Sequence, residues 1–417
     1  MCLIFYFPAF GQPGQTLSLT HAHELSRQHS ALEKNLGLLA KASFLRQESI
    51  DQSRLPSIQW KADARIQSEV VSLPEDIGIP LTIDLPLYNI RTYADVQYLL
   101  YDGGMTGALS DQEGLKSAVE HEKVEVELNK LPPQVNQTFM GVLFSRKKSD
   151  ILAVTLKDLG LRKESMQAGV EHGVILQSEV DKIHVRELEL LAEMERTQNE
   201  SRALLAVLSR LTGEDLSENV QLDLPDLNGF SLGVPIQRPE QGLFEQQQRL
   251  IDSREDIIQA SKRPKISAFA SGGIGYPNPL NFFDNQLSPY AMGGVAFSWN
   301  LVDWGKANRD RQIMSIQMQM IENQREAFES GLQAMEGKYQ EDIAGLENQI
   351  KRDREITELQ HQILEQLSSQ LEHGVITANE YLIQTNAELQ ARQQLQLHEI
   401  QLIQVKIQYL TQQGALE

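Results

Sequence analysis

The chain has 417 residues, 41% of them hydrophobic and 6% aromatic, enough to fill an ordinary core and to make two or three domains. Its formal net charge of −19, with no clustered Lys or Arg, argues against a nucleic-acid partner, because phosphate binding needs a basic face. Cys2 is the only cysteine, which excludes a disulfide framework and fits an oxidising envelope compartment.

The chain opens on a short apolar run from Cys2 to Phe10, with small residues spaced as Ala9-x-Gly11 and no basic segment ahead. Residues 1–15 are therefore expected to be a signal-peptide remnant. No later apolar run reaches the roughly 18 residues a membrane helix needs, so any crossing must be made by strands. A helix is expected from about Leu19 to Arg54. Its His21-Ala22-His23 is expected to be a pair of solvated side chains and not a metal site.

From Ser57 to Gln67 the residues alternate strictly. Ile58, Trp60, Ala62, Ala64 and Ile66 share one face, and Gln59, Lys61, Asp63, Arg65 and Gln67 share the other. This period of two marks a strand with one apolar and one wet side. Its hairpin partner is expected from roughly Arg91 to Leu100. A second hairpin is expected from Pro264 to Ala270 and from Tyr290 to Leu301, with Ser271 to Pro289 as a long surface loop. Strands of about ten residues are long enough to cross a bilayer when tilted. Trp60, Tyr98, Phe297 and Trp299 belong on the lipid side or the rim. Gln59, Lys61, Asp63, Asp95, Gln97, Ser298 and Asn300 belong on the watery side.

After Asp102-Gly103-Gly104 and after Asp303-Trp304-Gly305 the apolar spacing changes to three and four, the helical period. In the later segment Leu332, Met335, Tyr339, Ile343, Leu346 and Ile350, then Ile356, Leu359, Ile363, Leu367 and Leu371, form a coiled-coil-like stripe. No proline interrupts Gly305 to Leu371, a rod on the order of 100 Å. Pro132-Pro133 is expected to kink the corresponding first rod. Each rod reaches a turn, Glu171-His172-Gly173-Val174-Ile175 or Glu372-His373-Gly374-Val375-Ile376, and returns along an arm of about 39 residues, roughly 60 Å.

The two turns, like the two Asp-x-Gly junctions, are displaced by the same 201 positions, so the chain is one long unit written twice. Such a period is too long for a solenoid and indicates a duplicated half-structure. Residues 16–213 form the first repeat, 214–238 a linker belt at mid-length, and 239–417 the second repeat, each repeat holding a helix, a β-hairpin and a long helical hairpin. Four strands with one apolar face cannot close alone, since the smallest membrane barrels use about eight. The chain is therefore expected to oligomerise, its strands pooled into a β-barrel that continues as an α-barrel.

Arg263-Pro264-Lys265-Ile266-Ser267-Ala268-Phe269-Ala270, Phe297-Ser298-Trp299-Asn300-Leu301-Val302-Asp303-Trp304-Gly305 and the two Glu-His-Gly-Val-Ile words, followed by Glu179 and Glu380, resemble the TolC-like outer-membrane factors, exit ducts of bacterial efflux and type I secretion machines. The resemblance spans essentially Thr16 to Gly414. It implies an α+β membrane protein with four transmembrane strands per protomer and long antiparallel coiled-coil helices in two repeats. The homotrimer would form a β-barrel in outer-membrane lipid, continued by a periplasmic α-barrel. A periplasmic membrane-fusion adaptor and an inner-membrane ABC or proton-driven transporter would be its partners.

On that resemblance His172, Gly173, Val174, His373, Gly374 and Val375 would be adaptor-docking turns, and Glu179 and Glu380 would line the periplasmic aperture. Asp102, Gly103 and Gly104, with Asp303, Trp304 and Gly305, would be the strand-to-helix junctions, Asp capping the helix and Gly permitting the bend. Where well-known members carry a basic latch residue after the second turn, this chain has Ile376. No catalytic constellation, cofactor motif or metal-ligand spacing is present in the sequence. A rival reading is a trimeric envelope stalk or scaffold without channel activity.

Overall fold

The computed structural model describes residues 16–70, 86–281 and 284–416. The expected signal remnant at residues 1–15 lies outside the described residues. The chain is a helix-rich α+β protein whose described residues divide into two compact units.

One unit comprises Leu36–Glu122 and Gly242–Gln324 and contains a four-stranded antiparallel sheet. Its strands are β2 (Ser57–Ile66), β3 (Tyr88–Tyr101), β5 (Lys265–Tyr276) and β6 (Ser288–Ser298), in the order β2-β3-β5-β6. Pro56 and Pro264 stand just before β2 and β5, where a missing N–H costs the ladder nothing. Ser271 to Tyr276, expected in a loop, instead continues β5, and Ser288 and Pro289 open β6. A Cβ at Gly273 would lie 2.1 Å from the Thr92 carbonyl oxygen. That glycine serves close backbone approach between β5 and β3 and not a turn.

In the second unit, Met1–Asn35, Lys123–Gln241 and Arg325–Glu417, the described residues are helical apart from loops and a two-stranded parallel ribbon, β1 (Thr16–Ser18) on β4 (Gln221–Asp223). Helix α1 (Leu19–His29) starts on the Ser18 hydroxyl, which accepts from the His21 N–H at 3.2 Å. Helix α2 (Ala31–Gln52) follows. The first long rod is two helices, α3 (Met105–Leu128) and α4 (Leu131–Glu171). The prolines expected inside one helix stand instead at a break between two. Asn129 and Lys130 break the rod, and Pro132 and Pro133 sit in the first turn of α4, where proline's fixed φ and absent donor suit a helix start. Helix α5 (Gln177–Thr212) returns against α4.

Helices α6 (Pro239–Asp252) and α7 (Arg254–Lys262) precede β5, while α8 (Lys306–Glu372) and α9 (Ala378–Gln413) form the second hairpin. Helix α8 is unbroken for 67 residues. Its apolar stripe is covered only in part within the chain: Leu332, Ile343, Ile350 and Leu371 are buried, whereas Ile356, Leu359 and Ile363 are exposed.

Two apolar clusters fill the helical unit. One gathers Leu19, Phe139, Met140, Leu208, Val220 and Ile407, and the other Leu152, Leu159, Ile183, Leu190, Leu371 and Tyr381. His23, expected in solvent, points inward. Its Nε2 lies 2.7 Å from Asn136 Oδ1, and the Asn136 amide donates to the Thr411 hydroxyl at 2.8 Å, tying α1 to α4 and α9. Burial lowers its pKa from 6.5 and the Asn136 bond only partly opposes that shift.

The linker is held at both ends. Arg146 on α4 donates to the Val220 and Glu218 carbonyls at 2.6 and 2.8 Å. Farther on, the fully buried Tyr409 hydroxyl accepts from the Gly233 N–H at 2.7 Å and donates to Glu336 at 3.3 Å. The Gln237 N–H donates to the Gln413 carbonyl at 2.7 Å.

Candidate functional site

The sheet's register sorts its side chains by chemistry. Residues directly opposite one another share a face, so Gln59 with Asp95, Asp63 with Arg91, and Asp95 with Ser271 place all charges together. Every charged residue of the four strands, Lys61, Asp63, Arg65, Arg91, Asp95 and Lys265, falls on this one face. Lys61 donates to Asp95 at 2.5 Å and Arg91 to Asp63 at 2.7 Å. The Arg91 guanidinium also sits 5.3 Å from the Tyr93 ring centroid. Gln97 and Ser298 share this face, as the alternation requires.

The opposite face carries Ile58, Trp60, Ala62, Ala64 and Ile66 beside Ile90, Val96 and Tyr98, then Ile274, Val295 and Phe297, with no charge. The described residues leave it open: Trp60 is 74% and Ile66 87% exposed. Trp299 and Asn300 both lie past the end of β6, so the register gives neither of them a face, and Trp299 is 54% exposed at the end of the sheet. The Trp299 indole N–H donates to the Lys262 carbonyl at 2.9 Å.

Both junction aspartates cap the helix that follows. Asp102 accepts from the Gly104 and Thr106 N–H groups at 2.8 and 2.7 Å and from the Thr106 hydroxyl. Burial pushes its pKa up, but the bonds from Thr106 and Gly104 and the charge of Arg54 outweigh that and hold it below the usual range. Asp303 accepts from the Gly305 and Ala307 N–H groups at 2.9 and 3.2 Å, and these bonds lower its pKa. The middle residues differ. Gly103 has φ 74°, and a Cβ there would lie 2.8 Å from both the Ala260 carbonyl and Arg263 Cβ. Trp304 takes φ 51° with a full side chain that is 85% exposed.

The two turns have one backbone design. Helix α4 ends as Gly173 enters φ 73° and the Val174 N–H reaches the Gly169 carbonyl at 3.0 Å; α8 ends as Gly374 enters φ 69° and the Val375 N–H reaches Gln370 at 2.9 Å. This left-handed glycine with a long return bond is the stop that frees the chain to reverse. His373 Nδ1 donates to the Ser369 carbonyl at 2.7 Å, and His172 is exposed. Val174, Leu176 and Val375 project into solvent, whereas Ile175 and Ile376 pack on the second apolar cluster.

Glu179 and Glu380 occupy cap positions. Thr377 and Glu380 form a reciprocal capping box: the Thr377 hydroxyl accepts from the Glu380 N–H at 3.3 Å, and Glu380 accepts from the Thr377 N–H at 2.9 Å. At the matching place in the first turn Leu176 offers no acceptor. Glu179 there turns to the other hairpin and accepts from the Ala378 N–H at 2.9 Å, while Lys182 donates to it at 2.7 Å. The Lys182 bond, with the Ala378 N–H, lowers its pKa from 4.5 against a smaller desolvation.

Sequence reasoning missed the capping box, although Thr377-x-x-Glu380 before an apolar run announces it. It also missed the Arg162–Glu372 ion pair, which joins α4 to α8 beside the turns and for which no local pattern exists. Among the described residues no cluster of metal-ligating side chains occurs, and no helix is long and apolar enough to cross a membrane.

No protein-family model matches the chain, and no curated protein matches it in sequence. Solved structures do match. The outer-membrane protein VceC of Vibrio cholerae superposes with a TM-score of 0.67 at 14% identity, over 95% of this chain and 96% of that one. A membrane protein of Pseudomonas aeruginosa gives 0.69 at 14% identity, over 99% and 97%. The CmeC outer-membrane channel of Campylobacter jejuni gives 0.64 at 12% identity, over 95% and 85%. At this identity the match defines the fold: the chain has the fold of TolC-like outer-membrane channels.

Proposed function

We propose that this chain is one protomer of an outer-membrane exit duct, passively conducting substrates from an inner-membrane pump through a periplasmic adaptor to the outside. One observation carries the reading. The sheet has an uncharged, exposed face and a charged face, and among the described residues its outer strands β2 and β6 each pair on one side only. An uncharged band backed by a polar one is what a lipid-embedded barrel around a wet bore requires. Four strands fall short of closure, so a homotrimer pools its strands into the barrel, and the exposed part of the α8 stripe is sealed against helices of sister copies in a periplasmic α-barrel.

In this reading Val174 and Val375, with the His-Gly turns behind them, face the adaptor. Glu179 and Glu380 stand around the aperture, their carboxylates also committed to helix caps. The two repeats and the linker at 214–238 are the operating parts, and the transporter served is of the ABC or proton-driven kind.

Single-channel recording in planar bilayers tests this. The expected result is a discrete conductance from the purified oligomer, enlarged when the turns are loosened. Silence under both conditions would mark a stalk. Cross-linking from cysteines at Val174 and Val375 in cells is expected to capture an adaptor. On the sheet, Ala64→Arg should block outer-membrane assembly, at about 2–4 kcal/mol for a charge at the bilayer midplane, while Gln59→Arg on the charged face should assemble.

A further inference from the structure

The two β-hairpins share one register. Ser57 opposite Gln97 in the first returns as Lys265 opposite Ser298 in the second, so β2 maps on β5 with a shift of 208 positions and β3 on β6 with a shift of 201. The prolines before the entering strands, Pro56 and Pro264, obey the same 208. Inside the chain the hairpins join through β3 and β5, with Gln97 opposite Phe269, Val96 opposite Ala270 and Ala94 opposite Gly272. The remaining two edges, β6 and β2, have no mutual partner among the described residues.

Carrying the internal register through those shifts, and resting on the multi-copy barrel proposed above, we infer that β6 pairs antiparallel with β2 of a second copy in one fixed register. Ser298 stands opposite Lys61 of the partner subunit, Phe297 opposite Ala62 of the partner subunit, and Val295 opposite Ala64 of the partner subunit. The chemistry agrees. On the uncharged face large residues meet alanines, and on the charged face Ala296 and Gly294 meet Asp63 of the partner subunit and Arg65 of the partner subunit, so no like charges oppose. A slip of one residue would turn the charged face into the uncharged one.

The same mapping locates Trp304. Inside the chain its counterpart Gly103 is pressed against Arg263, with no room for a side chain. The counterpart of Arg263 is Leu55, which is exposed. Between copies, then, the indole of Trp304 lies on Leu55 of the partner subunit, and this joint is wider and more apolar than the one within the chain.

Disulfide trapping in the full chain reads this directly, because strand residues directly opposite have Cα atoms about 4.5–5.5 Å apart, within disulfide reach. In a Cys2→Ser background, Ala64→Cys with Val295→Cys should give a covalent oligomer ladder on non-reducing gels. Arg65→Cys with Val295→Cys, one residue out, should give none. Trp304→Gly removes the positive-φ side chain yet should lower the temperature at which the oligomer dissociates. A ladder from the out-of-register pair, or none from either pair in a sample that stays oligomeric and conducts, would overturn the register alone. A Trp304→Gly oligomer as heat-resistant as the parent would remove the Leu55 contact. A sample with no oligomer at all would end the duct reading, and the register with it.

Discussion

The first helical hairpin packs its arms closely through apolar side chains with the Lys148–Glu193 and Lys163–Glu187 ion pairs beside them, while the second spans its arms with a longer run of polar bridges, although both reverse on the same His-Gly-Val-Ile word. In the first, α4 and α5 approach closely. Gly141 leaves room for Leu204, whose Cδ1 would lie 3.0 Å from a Cβ at that position, and Phe139, Leu152, Leu159, Ile183 and Leu190 are buried. In the second, α8 and α9 are bridged by Arg354 to Glu399 at 2.8 Å, His398 to Asp353 at 2.5 Å, Lys406 to Glu347 at 3.2 Å and Gln384 to Gln360 at 2.6 Å. Glu388 is 3% exposed, held by Arg392 with His361 nearby at 3.6 Å. The turns need one backbone geometry, and only a few sequences supply it. Pairing of the arms has many solutions, and the two copies have taken different ones.

The largest expected effect comes from the apolar hairpin. Phe139→Ala should cost about 3–5 kcal/mol in denaturant unfolding, the usual loss for a fully buried ring. Leu359→Ala, on the exposed α8 stripe, should cost under about 1 kcal/mol in a dissociated chain. A Leu359 loss that approaches that of Phe139 only in the assembled oligomer would show sister helices sealing the second hairpin.

Next comes the polar hairpin. Arg392→Met strips the buried Glu388 of its partner and should cost about 3 kcal/mol, because the charge left behind is buried and uncompensated. Restoring apolar character with Glu388→Leu in the same chain should recover most of that. No recovery in the double variant would mean the pair also positions its neighbours.

The caps give smaller effects. Thr377→Val should cost about 1 kcal/mol and speed amide exchange at the start of α9, whereas Leu176→Val at the start of α5 should change little. Equal effects would erase the difference between the turns.

Smallest is a pH step at Glu179. Its pKa is lower in the folded chain than its ordinary 4.5, so the cap on Ala378 contributes fully above that value and is lost as pH falls through the folded pKa. Glu179→Gln should remove this acid-side step, read as the pH dependence of amide exchange at Ala378. A step that survives the substitution would assign it to another carboxylate.

The faces of the sheet were legible because period-two alternation leaves one choice of side, and Lys61, Asp63 and Asp95 stand where that choice puts them. The unbroken α8 was equally legible, since its length needs only an absence of breakers. Other features hid for physical reasons. Gly272, Gly273 and Gly275 read as loop residues because glycine serves both a turn and a close strand approach, and only the presence of β3 decides between them. Pro132-Pro133 fits a kink or a new helix start equally well until Asn129 and Lys130 are seen to leave the helix. The reach of Glu179 to Ala378 spans 199 positions and answers to the missing acceptor at Leu176, so no local window contains it.

The linker begins under Arg146, on the first hairpin, and finishes on Tyr409 and Gln413, on the second. It therefore behaves as a tie rod. Any stroke that slides one hairpin along the other must stretch this segment or tear a clamp at one end, so the hairpins travel as a coupled pair. Tyr409→Phe removes one of the two clamps at that end by deleting a single oxygen, leaving the Gln237 bond to Gln413 and the ring packing of Phe230 and Tyr339 in place.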